Sequence, residues 1–598
     1  MCGINAIVAY GAEAPPIDRA ELLATRDAMA ARGPDAVGEW IDHDQRVGMG
    51  HCRLAIIDLS ATGVQPMHED EAGLTMVFNG EIYNYQPLRN ELLAEGEKFR
   101  GTSDTEVMLK LYKREGPDFV RRLRGMFTFV LWDARRRGVL LARDPFGIKP
   151  LYLADDGRTL RAASQVKALL AGGKIDASPD AAGHAGFFLW GSVPEPHTLY
   201  RAIRALPAGS MLWIDRAGRR DLTRLFDIGQ EIAAAEQAGA SARIPLGMAI
   251  EDTVRHHLVA DVPVGVFLSA GLDSSTIASH AAALSNQPLH TVTLGFREYA
   301  GTADDEVGLA ETIAGGLRAA HQTRWVSAAD FRDRLPALFE AMDQPSVDGI
   351  NTYFVAQATA ATGLKVALSG VGGDELFGTY LSYRQLPRAV AALAPLARLP
   401  LLPRLIRIVS APVLGMLSSP KYAGLLEYGG DYGGVYLLRR GLFMPWELPE
   451  LIGPDMARAG WNELNSMARL EDTHRPISQG WLKVMALETT WYMRNQLLRD
   501  ADWAGMAHGL EIRTPLVDIE LFRALLPRLV DVSRPSKRDM AKTAVPAVPA
   551  NVLDRPKTGF NVPVRDWLLA GKDAQPERGL RGWARFVHAR FDGRAMSR

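Results

Sequence analysis

Hydrophobic and polar positions over about the first 200 residues fall into short apolar or alternating runs separated by turns. GINAIVAY, VGMGHCRLAIID, LTMVFNGEIYN, MFTFVLWD, GVLLARD and KPLYLA predict strands, with RRRG as a turn between two of them. RAELLATRDAMAAR and TSDTEVMLKLYKREG carry a helical period instead, and the second opens on a Ser/Thr/Asp cap. Several strands with few helices imply a layered, antiparallel α+β domain.

From about Gln230 to Arg243 the chain turns small and low in complexity, IAAAEQAGASARIPL, which reads as a linker over residues 226–243 between domains at 2–225 and 244–598. Beyond it the pattern changes. VPVGVFLS, LHTVTLGF and LKVALSG predict buried strands, and SSTIASHAAAL and VGLAETIAGGLRAA predict helices. Strands alternating with helices indicate a parallel α/β sheet with ligands at the strand C-terminal ends. Leu386 to Arg598 reads as mainly helical and has no solenoid-period repeat. The most apolar stretch, Ala389–Leu417, is interrupted by Arg398, Arg404, Arg407 and four prolines. That excludes a spanning helix and predicts packed helices, with a peripheral membrane contact as the lesser alternative.

Composition narrows the class. A chain of 598 residues is too long for one ordinary core. With 68 basic and 69 acidic residues, no global field favours nucleic acid or an anionic membrane, so charged substrates must be met locally. Two cysteines cannot form a disulfide framework or a Cys-based zinc site. The start lacks a basic n-region followed by an apolar h-region, and a reducing, cytoplasmic setting is expected. Oligomeric state stays open, with a homodimer among the options.

The chain opens MCGINAIVAY. Removal of Met1 would place a thiol and an α-amine, whose ordinary pKa is near 8, on Cys2, so that a nucleophile stands beside its own base. In GHCRLAIIDLS, Arg53 offers a fork for a substrate carboxylate. In FNGEIYN, Asn79 and the Gly80 backbone N–H offer oxyanion donors, and in GTSDTEV, Asp104 offers an ammonium acceptor. Together these groups describe a site for an amino acid with a side-chain carbonyl, and free glutamine fits.

MCGI, RLAIIDLS, FNGEIYNY, SDTE, GMFTFVLWD and ARDPFGIKPLY resemble, in order, the signature segments of class II glutamine amidotransferases, the N-terminal-nucleophile glutaminases of αββα fold. The resemblance implies that Cys2 is the nucleophile and its amine the base. It further implies that Arg53 to Ile57 line the glutamine site, that Asn79, Gly80 and Glu81 supply the oxyanion hole and substrate contacts, and that Asp104 takes the α-amine. Cys52 has no role in that pattern and reads as structural.

VFLSAGLDSSTIA joins a buried strand to a helix through small residues, so backbone N–H groups can cradle a polyphosphate, though without Walker or GxGxxG spacing. Asp273 is placed to hold Mg2+, and Ser269, Ser274 and Ser275 add hydroxyls. The segment is similar to the SGGxDS loop of ATP pyrophosphatases, with Ala270 where the first glycine usually stands. LKVALSGVGGDELFGTY, NQLLRDADWAGMAHGLEIRTPLVD and RPKTGFNVPVRDWL resemble further segments of the glutamine-hydrolysing asparagine synthetase family. The family implies ATP and Mg2+, with Phe267, Ser269, Gly271, Asp273, Ser274, Leu294, Ser369 and Gly370 around the nucleotide. Asp374 becomes a second metal ligand, Glu306 a further metal contact, and Lys557 the cation facing the reacting phosphates. The expected fold is therefore an αββα glutaminase domain followed by an α/β ATP pyrophosphatase domain with a helical C-terminal part.

One position departs. Where the family carries an acidic residue after Ser-Gly, this chain has Val371. The expected reaction remains ATP-driven amide synthesis, aspartate to asparagine by default. The alternatives are a sugar acid or peptide acceptor, a non-catalytic nucleotide domain attached to a glutaminase, and a beta-lactam synthetase-like ring closure, disfavoured because the glutamine set is whole.

Overall fold

The protein is described from a computed structural model covering residues 2–11, 13–239, 244–302, 304–397, 402–417, 419–555, 563, 567 and 579–592. Two six-stranded sheets occupy the N-terminal part. One runs in the order Ile203–Ala205, Tyr152–Asp155, Thr159–Ala163, Gly3–Ala9, Val47–Arg53, Ala36–Ile41. The other runs Arg220–Arg224, Ser210–Asp215, Gly138–Arg143, Gly125–Asp133, Leu74–Ile82, Met67–Glu69. Their strand pairings are antiparallel.

The apolar faces of the two sheets meet in one core that includes Ile4, Ala6, Val8, Met49, Val77, Val130 and Leu141. Helix Arg19–Asp27 packs on the outer side of the first sheet and helix Asp104–Glu115 on that of the second, which gives the αββα layering. Strands buried on both faces read as continuous apolar runs, as GINAIVA does.

The second part is built on a five-stranded parallel sheet in the order Ala320–Val326, His290–Phe296, Val264–Phe267, Val366–Leu368, Glu511–Arg513. Its two flanking strands escape the sequence reading. Ala320–Val326 alternates exposed and half-buried positions at an edge, and Glu511–Arg513 is only three residues long, too short to show a period. Much of the region read as a linker is ordered. Ile228–Ala238 is a helix capped by Asp227, with Ile228, Ile232 and Ala233 buried. Its small residues follow from close packing rather than from a free tether.

Candidate active site

Cys2 lies at the start of the central strand of the first sheet and is buried. Its backbone N–H donates to Asn79 Oδ1 at 3.0 Å, so two residues from different sheets meet between them. Gly80 follows Asn79 where the strand presses on its neighbour, and a Cβ there would overlap the Met126 carbonyl. Burial pushes the Cys2 thiol up, opposed by the Leu54 backbone N–H, so thiolate formation needs an adjacent base.

The other residues expected at a glutamine site lie on neighbouring segments. Asp104 is the first residue of its helix, accepts from the Ile82 N–H at 3.1 Å, and is pushed up to about 6 by burial. Glu81 is buried 3.4 Å from Arg513 Nη2, and burial with the neighbouring Glu511 raises it well above the ordinary carboxylate range. Ile57 is buried. Arg53 is more committed than the sequence suggests, because its guanidinium donates to the carbonyls of Asp58 and, at 3.0 Å, Ser60.

Cys52 is fully buried opposite Gly3, donates to the Arg26 carbonyl, and is pushed up to about 11 by burial. A Cys52→Ala chain is expected to keep its glutaminase rate within about twofold and to lose about 1 kcal/mol, read from steady-state assay and urea unfolding.

Several residues that sequence reasoning missed tie this site to the second part. Arg32 donates to the Cys2 carbonyl at 3.1 Å and makes a two-point ion pair with Asp502 at 2.7 and 3.1 Å, both side chains buried. Lys149 Nζ lies 3.7 Å from Asp502. Arg513 bonds Glu511 at 2.5 Å and the carbonyls of His257 and Val259. Strand Glu511–Arg513 pairs with Val366–Leu368, and the Arg513 carbonyl accepts from the Ser369 N–H at 2.8 Å, where the second nucleotide loop begins.

At the C-terminal ends of the parallel strands two loops face each other. In the first, the Ser274 hydroxyl accepts from the Ser269 N–H and Ser269 Oγ accepts from the Gly271 N–H, both at 3.1 Å, which fixes the turn. Ala270 is buried without disturbing it. In the second, a Cβ at Gly370 or Gly373 would press into Asp273, so glycine is needed for the loops to close. Closure brings Asp273 and Asp374 onto one ammonium. Lys537 Nζ bonds Asp273 Oδ2 at 2.6 Å and also Asp374 Oδ1, and these two carboxylates outweigh burial to push it up to about 12.

Lys537 was not singled out from sequence. Its one local signal is the Ser536/Asp539 capping box that aims its short helix. Phe267 ends the central strand and Leu294 is buried on its neighbour. Glu306 pairs with Arg555 at 3.5 Å. Lys557 lies outside the described residues.

Val371 is half-buried against the apolar core. Glu375 is buried, accepts from Tyr380 Oη at 2.8 Å, and is pushed up to about 7 by burial beside Asp374. Behind the loop Arg440 stacks on Tyr492 at 3.7 Å and Tyr380 at 4.6 Å and bonds Glu488 at 2.9 Å. Tyr492 belongs to an eleven-residue π-helix, Glu488–Leu498, a conformation that in short form is frequent at functional sites. In the AMDQPSVDGINTYF stretch, Asp343 caps residues 166 and 167 and Gln344 bonds Tyr152, so both serve the domain contact, whereas Ser346 bonds the buried Asp500 at 2.8 Å.

Asp180, His197 and Glu463 also converge, but Arg204 bonds Asp180 and lies 3.3 Å from Glu463, which places a fixed cation among them.

Comparison with known proteins places both halves. Residues 1–225 match the glutamine amidotransferase domain model, and residues 246–578 match the asparagine synthase model. The Bacillus subtilis glutamine-hydrolysing asparagine synthetase 1 is 32% identical, over 95% of this chain and 88% of its own length. The chain belongs to the glutamine-hydrolysing asparagine synthetase family.

A Mycobacterium tuberculosis protein provisionally given the same name is 36% identical over 96% of this chain and 89% of its own. The Gibberella zeae amidase chry2 is 30% identical over 64% of this chain and 60% of its own. Among solved structures, the B. subtilis glutamine phosphoribosylpyrophosphate amidotransferase aligns at 15% identity and TM-score 0.29, covering 54% of this chain and 81% of that one. Membership makes the chain an enzyme of glutamine-dependent amide synthesis. Among the described residues no helix is long and apolar enough to cross a membrane.

Proposed function

We propose that the chain converts L-aspartate, L-glutamine and ATP to L-asparagine, L-glutamate, AMP and pyrophosphate. The observation that carries this reading is the meeting of Asp273 and Asp374 on one buried cation, in a loop hydrogen-bonded to the strand that also contacts the Cys2 site.

In the first site the Cys2 thiol adds to the glutamine side-chain carbonyl as its proton passes to the α-amine exposed by loss of Met1. Ammonia leaves, and water hydrolyses the thioester to glutamate. Asn79 and the Gly80 N–H are oriented to stabilise the tetrahedral oxyanion. Asp104 and Glu81 receive the α-ammonium, and Arg53 closes the carboxylate end.

In the second site the acceptor carboxylate attacks the α-phosphorus of ATP, pyrophosphate departs, and ammonia displaces AMP from the acyl adenylate. Ser269, Gly271 and Ser274 shape the turn that would cradle phosphate, with Ser369 and Gly370 opposite and Phe267 and Leu294 flanking the adenosine. Asp273 and Asp374 are hard oxygen donors on facing loops, a set that would hold Mg2+ in exchange for the Lys537 ammonium, and the ion would neutralise phosphate charge there. Lys557, by its motif, adds a further cation.

A second reading, another carboxylate as acceptor, is favoured by one feature: Val371 cannot move a proton, and it places an apolar side chain in the loop. Both readings are tested by following AMP and pyrophosphate from MgATP with ammonia and a panel of carboxylates. Aspartate-dependent AMP is expected. Turnover with a sugar acid or peptide but not aspartate selects the second reading, and no AMP with any carboxylate while glutaminase survives rejects both.

A further inference from the structure

The helix Leu402–Leu417 turns its apolar stripe outward. Leu402, Leu405, Ile406 and Val409 follow the i, i+3, i+4, i+7 spacing that normally marks the face buried in a core, yet all four are exposed, Leu405 at 57% and Val409 at 77%, with Ile408 beside them. This corrects the expectation that the apolar stretch is simply packed. The helix is held from its other side, where Arg407 bonds Glu427 and stacks on Trp446 at 4.7 Å. Leu381, Tyr422 and Leu425 are also exposed.

Charge along the segment that carries the stripe is one-sided. Residues 376–426 contain Arg384, Arg388, Arg398, Arg404, Arg407 and Lys421 and no Asp or Glu, in a chain whose formal charge is -1. Arg384, Arg388 and Arg404 are exposed, and among the described residues no carboxylate pairs with them.

From this geometry we propose that helices Ser382–Ala397 and Leu402–Leu417 form a docking surface for an anionic lipid bilayer. Apolar side chains on one face, with arginines alongside, are what an interfacial helix needs to enter the headgroup region while its cations meet lipid phosphates. A second copy fits less well. A two-fold contact through this stripe would set Arg384, Arg388 and Arg404 against their own copies with no acid in the segment to offset them. The surface is one short connection from the nucleotide loop, since Tyr383, at the start of the first helix, donates to the Glu375 carbonyl.

The test is co-sedimentation of the full chain with vesicles of phosphatidylcholine alone and with vesicles about one third phosphatidylglycerol. Binding is expected to the anionic vesicles, at least about tenfold above the neutral ones, and to fall at about 1 M salt, where the Debye length is about 3 Å. L405E with V409E is expected to abolish it, and R388E with R404E to weaken it roughly tenfold, with soluble glutaminase activity unchanged in both as the folding check. The proposal is overturned by no binding to either vesicle, by equal binding to both, or by variants that bind like the parent. It is equally overturned if the parent self-associates without lipid and L405E with V409E makes it monomeric, which would assign the stripe to a second copy.

Discussion

A Cys2→Ala chain is expected to lose glutamine-dependent amide synthesis by about a thousandfold or more while keeping ammonia-dependent synthesis within about twofold. The thiol is the only nucleophilic group this reading places at the Asn79–Gly80 donors, so alanine removes the covalent step outright. Replacing it deletes one atom from a buried site whose backbone contacts, the N–H to Asn79 and the carbonyl from Arg32, stay in place. The loops proposed to activate the acyl group are built from other segments, so their ATP binding should not depend on it. Asparagine, or the product of whichever acceptor proves active, is measured with glutamine and then with ammonia as donor. Parallel loss of both activities would mean that Cys2 supports the fold rather than the chemistry. With the α-amine as the proposed base, intact-mass measurement of the active parent should show Met1 removed, and a chain extended before Cys2 should behave like Cys2→Ala.

The second large effect is expected on stability and on coupling. Asp502→Ala should destabilise the chain by about 3–5 kcal/mol, because it leaves the Arg32 guanidinium buried without its two-point partner. Arg32 holds the Cys2 carbonyl from the amidotransferase side, and Asp502 comes from the helix Arg499–Met506 on the other. The same change should therefore lower glutaminase activity although Asp502 touches no substrate. Denaturant unfolding followed by both intrinsic fluorescence and residual glutaminase activity reads the two effects. An Arg32→Met/Asp502→Leu chain separates them. It should recover most of the stability, since an apolar pair of similar size removes the uncompensated charge, but not the positioning of Cys2. Equal stability of Asp502→Ala and the parent would show that the pair is not a structural link.

Strands and helices of the amidotransferase sheets were legible because their signals are local. Alternation, turn residues and the Ser103 cap, which accepts from the Thr105 N–H, lie within a few residues of the elements they specify. The signature segments that carry the family resemblance are legible for the same reason: each is a contiguous run of about ten positions around Cys2, Asn79, Asp104, Asp273 or Asp374. The helical order within the linker was not legible because small residues permit both a tether and a tightly packed helix, and only the neighbours at Ile228 and Ile232 distinguish them.

What the sequence by itself determined was the identity of the chemical groups and the elements that carry them. Only the tertiary structure decided which groups meet. Arg32 and Asp502 are 470 positions apart, and Lys537 reaches two loops that are 264 and 163 positions away, distances over which no pattern in the chain couples one residue to another. The strand Glu511–Arg513 exists because Val366–Leu368 offers it hydrogen bonds, not because three residues could declare it. The helix at 402–417 shows the remaining limit: periodicity defines an apolar stripe, but whether that stripe faces the core or the solvent depends on which neighbours arrive to cover it.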